Sequence, residues 1–220
     1  TFIGNPGLVN ERILHVRGGV KWTEKPRIKW GLPFRQAFAG VTAFASLQER
    51  LVYHTENGEV RQSDGGLRWL GVEAKFRARV HRFYLEGTAA LQQGLTDDAS
   101  LERQTETIPM LWGEGSLYYE NKIKGTPLVL RAGFDCRYQT TFNPLSFDPS
   151  TQLWFARPTN AAPSVGQLDV FLSGKIYTAV VWFKMMNLLD GVGVPGWYTT
   201  PQYPVWGRGF CFGLSWEFYN

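Results

Sequence analysis

The sequence predicts an all-β protein, an antiparallel up-and-down transmembrane β-barrel, on three observations. The first is a period of two. At the end of the chain Phe212, Leu214, Trp216 and Phe218 alternate with Cys211, Gly213, Ser215 and Glu217, which gives an extended strand with one apolar face. The second is the rhythm of the connections. Long polar stretches at 56–66, 94–107, 141–163 and 188–207 alternate with expected tight turns near 81–82, 121–126 and 173–175. A membrane barrel has short turns at one end and long loops at the other; a Greek-key sandwich has no reason to. The third is length: strands of roughly 11–15 residues exceed the usual ~5–6 and suit a tilted membrane crossing of ~9–11 plus overhang.

Composition agrees. The chain has 220 residues, 15% of them aromatic, with nine Trp, nine Tyr and fifteen Phe, yet its mean hydropathy is slightly negative. Strands apolar on one side only combine these properties. The longest apolar stretch, Tyr177 to Leu189, is short and broken by Lys184 and Asn187, so no helical span is expected. A net charge of +4 is mild and scattered, and no nucleic-acid module is present. Residues 1–6 have no charged or apolar leader pattern and no initiating Met, so a mature chain or a piece of a longer one is expected. Alternation places Cys136 and Cys211 on opposite faces, which argues against a disulfide.

In chain order, Leu14, Val16, Gly18, Val20 and Trp22 alternate with His15, Arg17, Gly19 and Lys21, giving a first strand near 11–23. Thr23 to Phe34, with two prolines, is either a connection or a poorly formed strand. From Gln36 to Thr55 Ala39, Val41, Ala43 and Ala45 oppose Phe38, Phe44 and Ser46, and the tail 51–53 runs into the turn signal Asn57-Gly58. Residues 56–66 read as a polar loop. The next strands are clearer. Leu70, Val72, Ala74, Phe76 and Ala78 oppose Glu73, Lys75, Arg77 and Arg79; after His81-Arg82, Phe83, Leu85 and Gly87 oppose Tyr84 and Glu86. Leu111, Gly113, Gly115 and Leu117 then oppose Glu114, Ser116 and Glu120, and Leu128, Leu130, Ala132, Phe134 and Cys136 oppose Arg131, Asp135 and Arg137. Leu168 to Ser173, an expected turn at Gly174-Lys175, a return over 176–187 and the closing strand complete about nine strands, with no linker and no second domain in 1–220. Single-chain bacterial barrels usually have an even number, so the odd count points to the C-terminal part of a larger barrel.

Alternation alone does not say which face is inside. The charged side carries Arg17, Lys21, Glu73, Lys75, Arg77 and Arg79, then Glu86, Glu114, Glu120, Arg131, Asp135 and Arg137, while the other side is nearly free of charge. The apolar side is rich in Gly and Ala, which would pack a soluble core thinly but is harmless against lipid. Rings near strand ends (Trp22, Trp69, Phe83, Tyr119, Tyr138, Trp216, Phe218) suit interfacial belts. Both points favour lipid outside and the charged side chains in the lumen. Phe76, Leu85, Leu130 and Phe134 are then expected to face lipid, with Leu130 near the midplane. Over the strands at 67–140, five cations meet five carboxylates, so cross-strand pairing predicts weak ion selectivity.

Nothing points to catalysis. The three histidines (His15, His54, His81) lie in separate segments with no ligand spacing, His54 near Glu56 and Glu59 being the only loose candidate for a site. There is no Gly-x-Ser-x-Gly or glycine-rich phosphate loop. No enzyme activity, metal or cofactor is expected.

The last forty residues carry a resemblance. Asn187-Leu188-Leu189-Asp190, then Tyr203-Pro204, Gly207-Arg208 and Gly213-x-x-Trp216-x-Phe218, resemble the end of the putative-porin family of Bacteroidota-type outer membranes, and are similar also to the end of TonB-dependent receptors. Gly213, Trp216 and Phe218 resemble the C-terminal signal read by the barrel-assembly machinery, although Cys211 stands where a polar residue is usual. The resemblance implies a Gram-negative outer-membrane barrel that contacts lipid and the assembly machinery and passes small polar solutes. An uptake receptor, or a structural subunit with envelope partners, is the alternative.

Overall fold

Nine long strands, joined in chain order, make one antiparallel sheet. The computed structural model describes residues 7–24, 34–55, 57–150, 152–157, 161–192, 198–200 and 203–218. The chain begins with β1 (Arg12–Glu24) and β2 (Phe34–Glu49), followed by a small hairpin, β3 (Val52–His54) and β4 (Val60–Gln62). Next come β5 (Gly66–Val80), β6 (Phe83–Thr96), β7 (Leu111–Lys122) and β8 (Leu128–Gln139). A second hairpin, β9 (Ser146–Asp148) and β10 (Leu153–Phe155), precedes β11 (Val165–Ile176) and β12 (Ala179–Met186). A third, β13 (Tyr198–Thr200) and β14 (Tyr203–Pro204), precedes the closing strand β15 (Gly209–Trp216). The sheet order is β1-β2-β5-β6-β7-β8-β11-β12-β15, with β1 and β15 at its edges and no pairing between them among the described residues.

From β2 onward the long connections lie at one end of this sheet and the short ones at the other. Each long connection carries structure that sequence patterning left as loop. At 50–65 the expected polar loop is a hairpin: Arg50 takes a left-handed backbone (φ 57) that ends β2, and Gly58 (φ 77) turns the chain so that β3 pairs with β4. The tail 51–53 therefore belongs to the hairpin and not to the long strand. At 97–110 a 3-10 turn (Ala99–Leu101), capped by the Asp98 carboxylate, which accepts from the Ser100 N–H at 2.9 Å, leads into a short helix (Glu102–Thr105), and Leu101 between them is fully buried. Asp98 also accepts from the Gly65 N–H at 3.0 Å and so ties two loops together.

The turn expected at Gly174-Lys175 is a correction. Those residues pair with Val181 and Val180 inside the sheet, and the chain reverses at Tyr177-Thr178, with Tyr177 at φ 51. His81, at φ 56, makes the same use of a left-handed residue at the turn after β5. Two-residue hairpins need positive φ to match strand twist, and here Tyr and His supply it in place of the Gly or Asn that a turn signal relies on. Of the undecided stretch 23–34, Thr23 and Glu24 end β1 and Phe34 opens β2; residues 25–33 lie outside the described residues.

Residues directly opposite in an antiparallel pair share a face, so the register carries one side through all nine strands. Arg17, Phe44 and Gly71 lie in one row, and Lys21, Gly40, Lys75, Thr88, Glu114, Arg137 and Gln167 in another. The other side holds Val20, Val41, Phe76, Leu85, Leu117, Phe134, Leu172, Phe212 and Leu214. No layer among the described residues covers that side: Val20 is 80% exposed and Phe212 73%. The buried apolar residues are few (Leu67, Ala90, Leu101, Phe155 and Ala162), three of them in the long connections. A sandwich would bury its apolar face against a second sheet, and none covers this face among the described residues.

Rings on the sheet rest on cross-strand glycines. Phe44 faces Gly71, Phe76 faces Gly87, Tyr118 faces Gly133 and Trp182 faces Gly213. A methyl group at Gly213 would come 2.5 Å from the Trp182 ring, and one at Gly71 would come 2.4 Å from Phe44. These contacts let bulky side chains lie flat along the sheet.

Candidate functional site

The polar face of the sheet gathers the charged residues that alternation singled out. Arg17 and Lys21 come from β1; Glu73, Lys75, Arg77 and Arg79 from β5; Glu86 from β6; Glu114 and Glu120 from β7; Arg131, Asp135 and Arg137 from β8. All twelve point to one side by register.

Pairing across this face is specific. The Arg77 guanidinium donates to Glu86 at 2.8 Å, Arg131 pairs with Glu120, and Arg137 stands 3.7 Å from Glu114. Each is a directly opposed cross-strand pair, the geometry in which opposite charges attract on a sheet. Lys75 pairs with Glu73 at 2.6 Å along its own strand. Arg79 has no carboxylate partner among the described residues; it lies 4.9 Å over the Tyr84 ring and donates to the His81 carbonyl.

Asp135 goes elsewhere than the neighbouring arginines. Its two oxygens accept from the Ser116 hydroxyl at 2.7 Å and the Lys184 ammonium at 2.8 Å. Lys184 also reaches Asp169 at 2.9 Å. Asp169, only 6% exposed, accepts in addition from the Asn187 N–H and the Gln167 amide. Burying a carboxylate this far requires several donors, and Asp169 has three. Sequence reasoning missed Lys184 as a partner in this network. The signal was present in Trp182-x-Lys184, where Lys184 falls in phase with the charged face, but in the sequence it read only as a break in an apolar run.

The terminal motif is a packed latch. Asn187 takes a left-handed backbone (φ 52) at the end of β12, with its N–H on Asp169. The Asp190 carboxylate accepts from the Arg208 N–H, and the Arg208 guanidinium caps the carbonyls of Leu188 and Asp190 at 3.0 and 2.9 Å. A side chain at Gly207 would come 2.8 Å from the Asp190 carboxylate. Thus Asn-x-x-Asp on one side of the loop and Gly-Arg on the other form one hydrogen-bonded unit. In β15, Gly213 lies under Trp182 on the charged face, Trp216 is on the apolar face, and the Phe218 ring stacks on Trp216 at 5.0 Å.

Two expectations shift. Trp69, grouped with the interfacial rings, opposes Ser46 and lies on the charged face. Leu130 is on the apolar face but is the third residue of β8, close to the short turn, so Phe134 is the residue nearer mid-strand. Among the described residues no group of His, Cys, Asp and Glu could hold a metal, and both cysteines are free.

The putative-porin family profile matches residues 22–220. The chain belongs to the putative-porin family. Among solved structures this porin-family chain is similar to the FrpB iron transporter of Neisseria meningitidis, with 15% identity and a TM-score of 0.65 over 94% of the chain and 31% of the transporter. It is similar also to the pyoverdine outer membrane receptor FpvA of Pseudomonas aeruginosa (12%, TM-score 0.63, 96% of this chain and 30% of the receptor) and to the ferric-catecholate import receptor Fiu of E. coli (12%, 0.63, 94% and 28%). The chain therefore spans about 30% of the length of these proteins. A search of curated proteins finds no match. The fold is an antiparallel sheet resembling part of a TonB-dependent receptor barrel, and the family is one of outer-membrane β-barrels.

Proposed function

We propose that the chain forms the C-terminal part of a barrel in the outer membrane of a Gram-negative bacterium, passing small polar solutes passively. The charged face lines the lumen and the apolar face meets lipid. One observation carries this: a single sheet whose uncovered apolar side runs the length of every long strand, opposite a side on which each carboxylate of β5–β11 has a basic partner. Lipid satisfies the first side and a wet interior the second. Gly213, Trp216 and Phe218 act as the signal for the barrel-assembly machinery.

Membrane fractionation and planar-bilayer recordings of the full-length gene product test the proposal. Detergent-dependent extraction and a steady conductance are expected; recovery in the soluble fraction without detergent would sink it. The likeness to iron and siderophore receptors supports a second reading, an active-uptake receptor, which an upstream plug domain in the full gene would favour. Purification with stoichiometric envelope partners and no conductance would point instead to a structural subunit.

A further inference from the structure

Charge on the polar face is not evenly matched. Asp135 and Asp169 share the single Lys184 at the β8–β12 side. At the other side the balance reverses: Arg17 and Lys21 have no carboxylate partner among the described residues, and the one carboxylate nearby, Glu73, is held by Lys75 at 2.6 Å. The floor between them is low. Gly19, Gly40 and the Thr42 hydroxyl lie in the rows between Arg17 and Lys75, leaving a depression of about 380 Å³. The Lys21 ammonium lies 5.1 Å from the Phe38 ring, which holds it over one wall. Lys21, Phe38 and Lys75 also border a larger groove of about 660 Å³ that continues along the paired rows toward β8.

We infer that this depression is a binding site for the oxyanion of a passing solute, a carboxylate or phosphate group held by Arg17 and Lys21 with the Thr42 hydroxyl as a further donor. Arginine and lysine without a carboxylate partner are free to donate to an incoming oxyanion, and the Thr42 hydroxyl, lying over Gly19, is placed to meet the group above the sheet. The site rests on the reading of the charged face as a lumen. It deepens that reading by naming the solute class, and it replaces the expectation of weak selectivity with a preference for anions.

Inorganic phosphate and succinate serve as probes. With the detergent-solubilised full-length protein, phosphorus line broadening of phosphate should saturate with concentration. Arg17→Ala and Lys21→Ala should each weaken it about tenfold, the scale of one charge-assisted bond, while Lys21→Arg retains it. Succinate should compete; failure to compete would confine the site to phosphate and overturn the shared-oxyanion claim. In bilayers under a KCl gradient, the reversal potential should show anion preference that falls in both alanine variants. Broadening unchanged in folded alanine variants would overturn the inference, since it would mean that the two cations are already matched by neighbouring strands. Absent conductance with broadening intact would sink the pore reading and leave the site standing.

Discussion

Phe134 lies in the middle of β8 on the uncovered face, 48% exposed, and it is the residue at which the lipid assignment is most sharply tested. An Arg there should cost about 2–4 kcal/mol near a bilayer midplane, against about 0–1 for an Arg replacing Leu130 near the strand end. Equilibrium unfolding from vesicles measures both, and equal costs would remove the depth assignment. Its neighbour Gly133 tests packing. A methyl group there would come 2.4 Å from the Leu117 carbonyl, a backbone atom that cannot swing aside, whereas at Gly18 it would meet nothing within 4 Å. Gly133→Ala should therefore destabilise by about 1–3 kcal/mol and Gly18→Ala should not. Alternation revealed the side on which each of these residues lies. It did not reveal the depth of Leu130, because the depth of a strand residue depends on where the turns fall.

At the scale of elements, alternation located all nine long strands, and the closing motif pointed to the family. It missed the three small hairpins and the capped turn at 99–105, since strands of two or three residues are too short to show a period. It also misplaced the β11–β12 turn, because Tyr177 and Thr178 carry no turn chemistry. Arg208→Ala removes the two guanidinium hydrogen bonds to the Leu188 and Asp190 carbonyls that join the two sides of the 188–208 connection. It should make protease cutting within that connection faster, and Arg208→Lys should rescue it poorly because lysine lacks the planar fork. Cutting at the wild-type rate would show that the latch is incidental. At the 97–110 connection, hydrogen bonds from Ser100 and then from the Gly65 N–H lower the Asp98 pKa below its ordinary value. A depressed carboxylate pKa means that its stabilisation is complete above the ordinary carboxylate range and is lost as pH falls through the folded value. Amide exchange at Gly65 and Ser100 should therefore lose protection on acidification, and Asp98→Asn should flatten that dependence.

Strand direction governs the whole molecule. Nine antiparallel strands leave β1 and β15 running the same way, both from the long-connection end to the short-turn end. Pairing them would close the barrel through a parallel contact, whereas bacterial single-chain barrels close antiparallel with an even count. An open edge is also a template for association, so both edges need partners. The similarity over about 30% of the length of much larger receptors fits a sheet completed by further strands. In the full-length protein, β1 should then lie against a strand outside this chain and not against β15. Cysteines replacing Val16 in β1 and Leu214 in β15, in a background with Cys136 and Cys211 replaced by serine, test this directly. Both positions are on the apolar face and exposed, and a disulfide needs Cα atoms no more than about 7 Å apart. Oxidation in the membrane should give no cross-link between them within one polypeptide. A high-yield intramolecular bond would mean that these nine strands close on themselves, with a lumen correspondingly narrower and Arg17 and Lys21 brought beside Gly213 and Ser215 of β15.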